Sequence, residues 1–140
     1  MNKINYGRVI LGGLVCGLIL NIGEFVLNAV VLAEHMKTFN AAHNFKDPTG
    51  SQIAIVIALT FVLGIVIVLG YAAIRPRFGP GVKTGIIAAL FAWFAIYFFV
   101  GILFWVFFGI STNDTVLSLV WGLVEYSIAA VAGAALYKEA

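Results

Sequence analysis

Apolar residues fill four long runs, at about residues 9–33, 53–74, 85–110 and 116–137, and polar residues gather in the three stretches between them. Each run reaches the roughly 20 residues that an α-helix needs to cross about 30 Å of hydrocarbon. The pattern predicts an all-α, polytopic membrane fold: one domain, residues 1–140, with four transmembrane helices arranged as two hairpins. The three connections differ in character. Residues 34–52 read as a long polar loop, Arg75-Pro76-Arg77-Phe78-Gly79-Pro80-Gly81-Val82-Lys83 as a stiff basic turn, and Ser111-Thr112-Asn113-Asp114 as a tight last turn. Proline and glycine stand where the helices are expected to stop.

The distribution of cations sets an expected orientation. Lys3, Arg8, Arg75, Arg77, Lys83 and Lys138 fall on one side of the predicted spans, and Lys37 and Lys46 on the other. By the excess of Lys and Arg in cytoplasmic segments, both termini and the basic turn are expected to be cytoplasmic. The same rule puts the 34–52 and 111–114 connections outside. Composition agrees with a membrane setting: 63% of residues are hydrophobic and 10% charged, against about half and a quarter in soluble domains. Mean hydropathy is +1.09. A net charge of +2 is too small to suggest a nucleic-acid partner. Lys3 and Arg8 before an apolar run resemble the start of a secretory signal. The run outlasts the roughly 7–15 apolar residues of such a signal, so a retained first span is expected.

Two carboxylates interrupt the apolar runs, Glu24 in the first and Glu125 in the fourth. An ionisable group in hydrocarbon is costly and must be neutralised, paired or used. Gly13, Gly17, Asn21, Glu24, Asn28 and His35 share one face of the first helix at 100° per residue. Gly13-x-x-x-Gly17 permits close approach by a neighbouring helix. Ser118, Trp121, Gly122, Glu125, Ala129, Ala132 and Gly133 form a comparable face on the fourth. Glu24 lies nine residues before Ala33, and Glu125 nine after Val116. At about 1.5 Å per residue, both carboxyls lie roughly 13 Å below the same boundary, so the two are placed to meet.

Two carboxylates at one depth in low dielectric cannot both stay ionised without a cation, so at least one is expected to hold a proton near neutrality. Two readings stand side by side. In the first, neutral Glu24 and Glu125 hydrogen-bond each other, Asn21 and Asn28 and fix helix register. In the second, the same four residues are a site for a proton, a cation or a polar solute.

Other features carry less chemistry. Cys16, the single cysteine, excludes an intrachain disulfide and reads as a small buried hydrophobe. His35 shares the Glu24 face but lies about 16 Å further along the axis, and the His35-to-His43 spacing is no metal pattern, so no metal and no cofactor is expected. Half of the chain's Phe, Trp and Tyr residues crowd the third run and surround the helix, as lipid-facing and interfacial aromatics do. Arg75, Arg77 and Lys83 are candidate contacts for anionic lipid headgroups. A faint repeat pairs Leu69-Gly70-Tyr71-Ala72-Ala73-Ile74-Arg75 with Ala132-Gly133-Ala134-Ala135-Leu136-Tyr137-Lys138, which duplication or shared interface demands both produce.

Four stretches, Ile4-Asn5-Tyr6-Gly7-Arg8, Asn21-x-x-Glu24, Tyr71-Ala72-Ala73-Ile74-Arg75-Pro76-Arg77-Phe78-Gly79-Pro80-Gly81 and Trp121-Gly122-Leu123-Val124-Glu125, resemble a group of small bacterial four-helix integral membrane proteins. The resemblance covers the whole chain. It implies a bacterial inner-membrane location, supplies no mechanism and carries no catalytic residue over. The role expected first is structural or accessory: a homo-oligomer or a member of a larger membrane complex, in contact with lipid. The alternative is a small oligomeric transporter or channel that uses Glu24 and Glu125 as a protonatable pair. An enzyme is the weakest reading, because no nucleophile stands beside a base.

Overall fold

A computed structural model describes residues 3–140. Among them the regular structure is entirely helical: α1 (Tyr6–Val26), α2 (Ala33–Ala42), α3 (Gly50–Phe78), α4 (Val82–Ala92), α5 (Phe99–Phe108) and α6 (Thr112–Ala135). A π-helical turn, Leu27–Val31, extends α1, and another, Trp93–Phe98, joins α4 to α5. Four continuous helices are long and apolar enough to cross a membrane: Tyr6–Val31, Gly50–Phe78, Val82–Phe108 and Thr112–Ala135. The chain is a four-span helical membrane fold, as the apolar runs predict.

Helix ends depart from the expected boundaries for local reasons. The second span does not stop before Arg75-Pro76-Arg77 but runs through it to Phe78. A proline in a last turn removes one hydrogen bond yet keeps a helical φ, and cations there favour the negative end of the helix dipole. Gly79 (φ 84°) and Gly81 (φ 111°) end it instead, in backbone conformations that side chains disfavour. Thr84 Oγ1 donates to Gly79 O at 2.6 Å, and Gly81 N donates to Tyr71 Oη at 3.1 Å, which sets the turn. The stretch 34–52 is not one loop: α2 occupies its first half, with Thr38 Oγ1 bonding back to Glu34 O. The last turn likewise falls at Gly109 (φ 70°) and Ile110, while Ser111 caps α6 by accepting from Asp114 N.

Thr49 opens α3 with a reciprocal capping box: its hydroxyl accepts from Gln52 N, and Gln52 Oε1 accepts from Thr49 N. Thr49→Ala is expected to cost about 1 kcal/mol of local helix stability. Faster amide exchange at Gly50, Ser51 and Gln52 is the readout; unchanged exchange would mean that the box does not hold this end.

Packing is uneven along the bundle axis. α1 packs against α3 and α6, α4 against α6 and α3, and α3 also touches α6 across the middle. The termini and the α3–α4 turn gather at one end, where Asn5 N donates to Tyr137 Oη at 3.4 Å and Arg75 pairs with Glu139 at 2.6 Å. In that near half the backbones interlock. A Cβ on Gly13 would strike Ile65, one on Gly64 would strike the backbone of Gly13 and Gly17, and one on Gly12 would strike Gly133 O. Val9, Cys16, Val68, Ala129 and Ala130 fill what remains. Toward the far end the helices separate, and residues 50–59 of α3 are exposed without exception.

Candidate functional site

Splaying of the far half leaves an open-sided groove of about 1210 Å³ between α1, α3, the third span and the start of α6. This exceeds the roughly 300–1,000 Å³ usual for a small-molecule site. Its walls are mostly aliphatic and aromatic, with Ile53, Ile57 and Leu63 on one side and Ile96, Val100 and Phe104 on the other. Met36 of α2 and Lys46 reach its mouth.

Glu24 supplies the acid in this groove. Tyr97 donates its hydroxyl to Glu24 Oε1 at 2.6 Å, and Asn28 Nδ2 donates to Oε2 at 3.1 Å and to the Glu24 carbonyl at 2.9 Å. Both helpers lie in π-helical turns, which insert a residue, re-aim the side chains around it and recur at functional sites. The one in the first span starts three residues after Glu24 and includes Asn28, and the one in the third span includes Tyr97.

Glu125 sits behind Glu24, buried at 6% exposure. Its side chain lies over Gly23, where a Cβ would come 2.6 Å from Glu125 Cδ. Glycine at 23 is therefore what lets α6 bring a carboxyl this close to α1. The two carboxyls are near enough to interact electrostatically. Glu24 and Trp121 stand within hydrogen-bonding reach of the Glu125 carboxyl, and Glu24 bonds to it when one of the two holds a proton. Trp121 Nε1, one turn before, donates to Gly23 O at 3.2 Å. The ion pairs among the described residues are His35–Asp114 and Arg75–Glu139. Neither includes Glu24 or Glu125, so no protein cation balances this pair.

Comparisons with family models, with curated proteins and with solved structures find no match. The geometry alone therefore carries the functional reading.

Of the four residues the sequence singles out, three come together: Glu24, Glu125 and Asn28. Asn21 lines the groove but bonds to Gly17 O at 3.0 Å and Ile57 O at 3.4 Å, so it ties α1 to α3 rather than serving the carboxyls. The basic cluster divides. Arg75 pairs with Glu139 and lies over the Tyr137 ring at 5.7 Å, while Arg77 and Lys83 are exposed. The histidines part as well: His35 Nδ1 meets Asp114 Oδ1 at 2.7 Å, and His43 stacks with Phe39 and Phe45. Sequence reasoning missed Gly23, Tyr97 and Tyr126. Tyr97 is the lone tyrosine in a run of phenylalanines, and a hydroxyl there was the available signal. Tyr126 packs edge-on against it at 5.4 Å.

Proposed function

We propose that this chain is a multi-pass protein of the bacterial inner membrane, with both termini in the cytoplasm, and that its Glu24–Glu125 pair is a site for a proton or cation within the bilayer. The observation that supports this reading is an acid pair at the floor of an open groove with no protein cation beside it. Glu24 lines the groove, and its partner Glu125 is buried beside it with no protein cation in an ion pair with either. Glu24 faces the groove and Glu125 is sealed behind it, so a proton or cation reaches the pair through Glu24. The Gly13, Gly17 and Gly64 seam closes α1 against α3 in the near half, which fits a binding protein or one state of a transporter better than a continuous channel. Infrared titration of the protein in lipid tests this. A protonated-carboxyl band that titrates and that changes in both Glu24→Gln and Glu125→Gln is expected; a band that never titrates would remove the reading.

A second reading, a structural or accessory subunit that forms oligomers, is favoured by one feature. Residues 50–59 of α3 are all exposed, and a second chain seated there would cover them. Cysteine cross-linking from position 56 between copies in native membranes tests it, and the absence of any cross-linked species would count against it.

A further inference from the structure

The groove defines the kind of cation the pair receives, an inference that rests on the reading of Glu24 and Glu125 as a proton or cation site. A small hydrated metal ion needs several oxygen ligands in a compact shell. Here the acid stands at the base of a wide cavity whose walls offer Ile57, Leu63, Ile96 and Val100. No three His, Cys, Asp or Glu side chains come together among the described residues. A compact ion would leave most of the 1210 Å³ unfilled and its own hydration unreplaced. A cation with a large apolar body satisfies both parts: its charge meets the carboxyl, and its body replaces lipid against the aliphatic walls.

We infer that the groove binds a lipophilic monocation, its charge against Glu24 and its apolar body between the far half of α3 and the third span, and that each cation entering displaces one proton from the Glu24–Glu125 pair. The open side between residues 50–59 of α3 and the third span gives it a path from the bilayer, without passage through the mouth at Met36 and Lys46. Charge balance sets the exchange. The pair holds one negative charge when singly protonated. If the cation binds against Glu24 and the remaining proton leaves to water, the pair carries two negative charges beside one positive charge, with Glu24 held by Tyr97 and Asn28, and the net charge of the site is unchanged. The groups facing Glu24 are Asn28 on its own helix, Tyr97 from the third span, and Glu125 and Tyr126 from α6. From α3 the groove receives only uncharged side chains, while Lys46 and the paired Asp114 stand at its rim. No group other than the acid pair offers a proton at this depth except tyrosine hydroxyls.

Tetraphenylphosphonium and tetraphenylborate test the inference, because they match in shape and apolarity and differ in the sign of charge. Each is bound to the full chain in lipid nanodiscs, with binding to protein-free nanodiscs subtracted. The phosphonium is expected to bind at least about tenfold more tightly than the borate. Its affinity is expected to rise by about tenfold per pH unit through the range in which the carboxyl band titrates, the signature of one competing proton. Glu24→Gln should abolish both the preference and the pH slope. Ile57→Trp, at an exposed wall position on the facing helix, should weaken phosphonium binding by filling the groove, so a failure of Glu24→Gln to fold leaves the question decidable. Equal binding of both ions, or a pH-independent affinity, would overturn the inference. So would a groove already filled by phospholipid or a second copy, in which case neither ion binds above the protein-free level. If the carboxyl band titrates while the ions show no preference, the lipophilic cation is wrong and the acid-pair reading survives. If the band never titrates, both fall.

Discussion

Gly64→Leu is expected to destabilise the protein by about 3 kcal/mol or more, at the upper end of overpacking penalties, whereas Gly70→Ala, six residues further along the same helix, should leave it unchanged or slightly more stable. A Cβ at position 64 would run into Gly13 O and into the N and Cα of Gly17. These are backbone atoms of α1, and they cannot move without displacing the whole helix. At Gly70 nothing lies within 4 Å, so an added methyl meets open space. Alanine is favoured over glycine in a helix by up to about 1 kcal/mol, which sets the sign of the control. The contrast matters because lipid offers no hydrophobic drive for helices to associate, and close packing of small residues takes its place. Unfolding by sodium dodecyl sulfate in mixed micelles, followed by circular dichroism, measures both variants. Equal midpoints for Gly64→Leu and the wild type would mean that α1 and α3 do not pack on this seam. The groove is tied to the same contact: the Gly13, Gly17 and Gly64 seam closes the near half, and Asn21 to Ile57 O is a tie between the two helices further along. A bulky residue at 64 is therefore expected to disturb the acid pair as well as the fold.

Much of the architecture is legible in the sequence because hydrocarbon imposes one dominant rule: every backbone polar group must be bonded within the segment. Four apolar runs of sufficient length then mean four helices. Their ends are less legible, since a boundary depends on competing local bonds. Arg75-Pro76-Arg77 carries the signature of a turn, yet a proline near the end of a long helix gives up little, and it is the positive φ of Gly79 and Gly81 that breaks the chain. The polarity of residues 34–52 suggests a loop, but polar residues such as Glu34, Lys37 and Thr38 form a helix as readily when no proline intervenes.

The acid pair is legible from equal depth, because Glu24 and Glu125 count nine residues from boundaries on one side. Of what surrounds it, Asn28 is legible and the rest is not. Regular 3.6-residue periodicity assigns Asn21 and Asn28 to the same stripe, but Asn21 finds a carbonyl of α3 before it can reach the acids, and the π-helical turn beginning at Leu27 alters the register beyond Glu24. The contribution of Tyr97 rests on a second π-helical turn in another helix, and no pattern in a single sequence marks such a turn. Gly23 escapes notice for a different reason. Its role is to be absent where the Glu125 side chain lies, and only the partner helix reveals it.

Replacing Glu125 with methionine is expected to stabilise the fold by about 1–3 kcal/mol, the range for taking a polar group out of a buried site, and at the same time to abolish proton exchange at the pair. Methionine matches the length of glutamate and adapts to irregular space, so it can occupy the site over Gly23 without forcing the helices apart. It strands no donor, because the Trp121 indole bonds to Gly23 O and the Tyr97 hydroxyl to Glu24. Glu125→Gln is the informative companion. It keeps a polar head in the same enclosed place, so it is expected to show no such gain. The order of stability should then be Glu125→Met above both Glu125→Gln and the wild type, measured by detergent unfolding and set beside phosphonium binding and the carboxyl band. A carboxyl that weakens the fold and supports binding is the mark of a functional group, since activity commonly comes at a cost in stability. The reverse order, with Glu125→Met several kcal/mol less stable, would show that the pair is a structural hydrogen bond holding α6 to α1. In that case the groove above it would be a space between helices awaiting another chain, and the oligomer reading would take precedence.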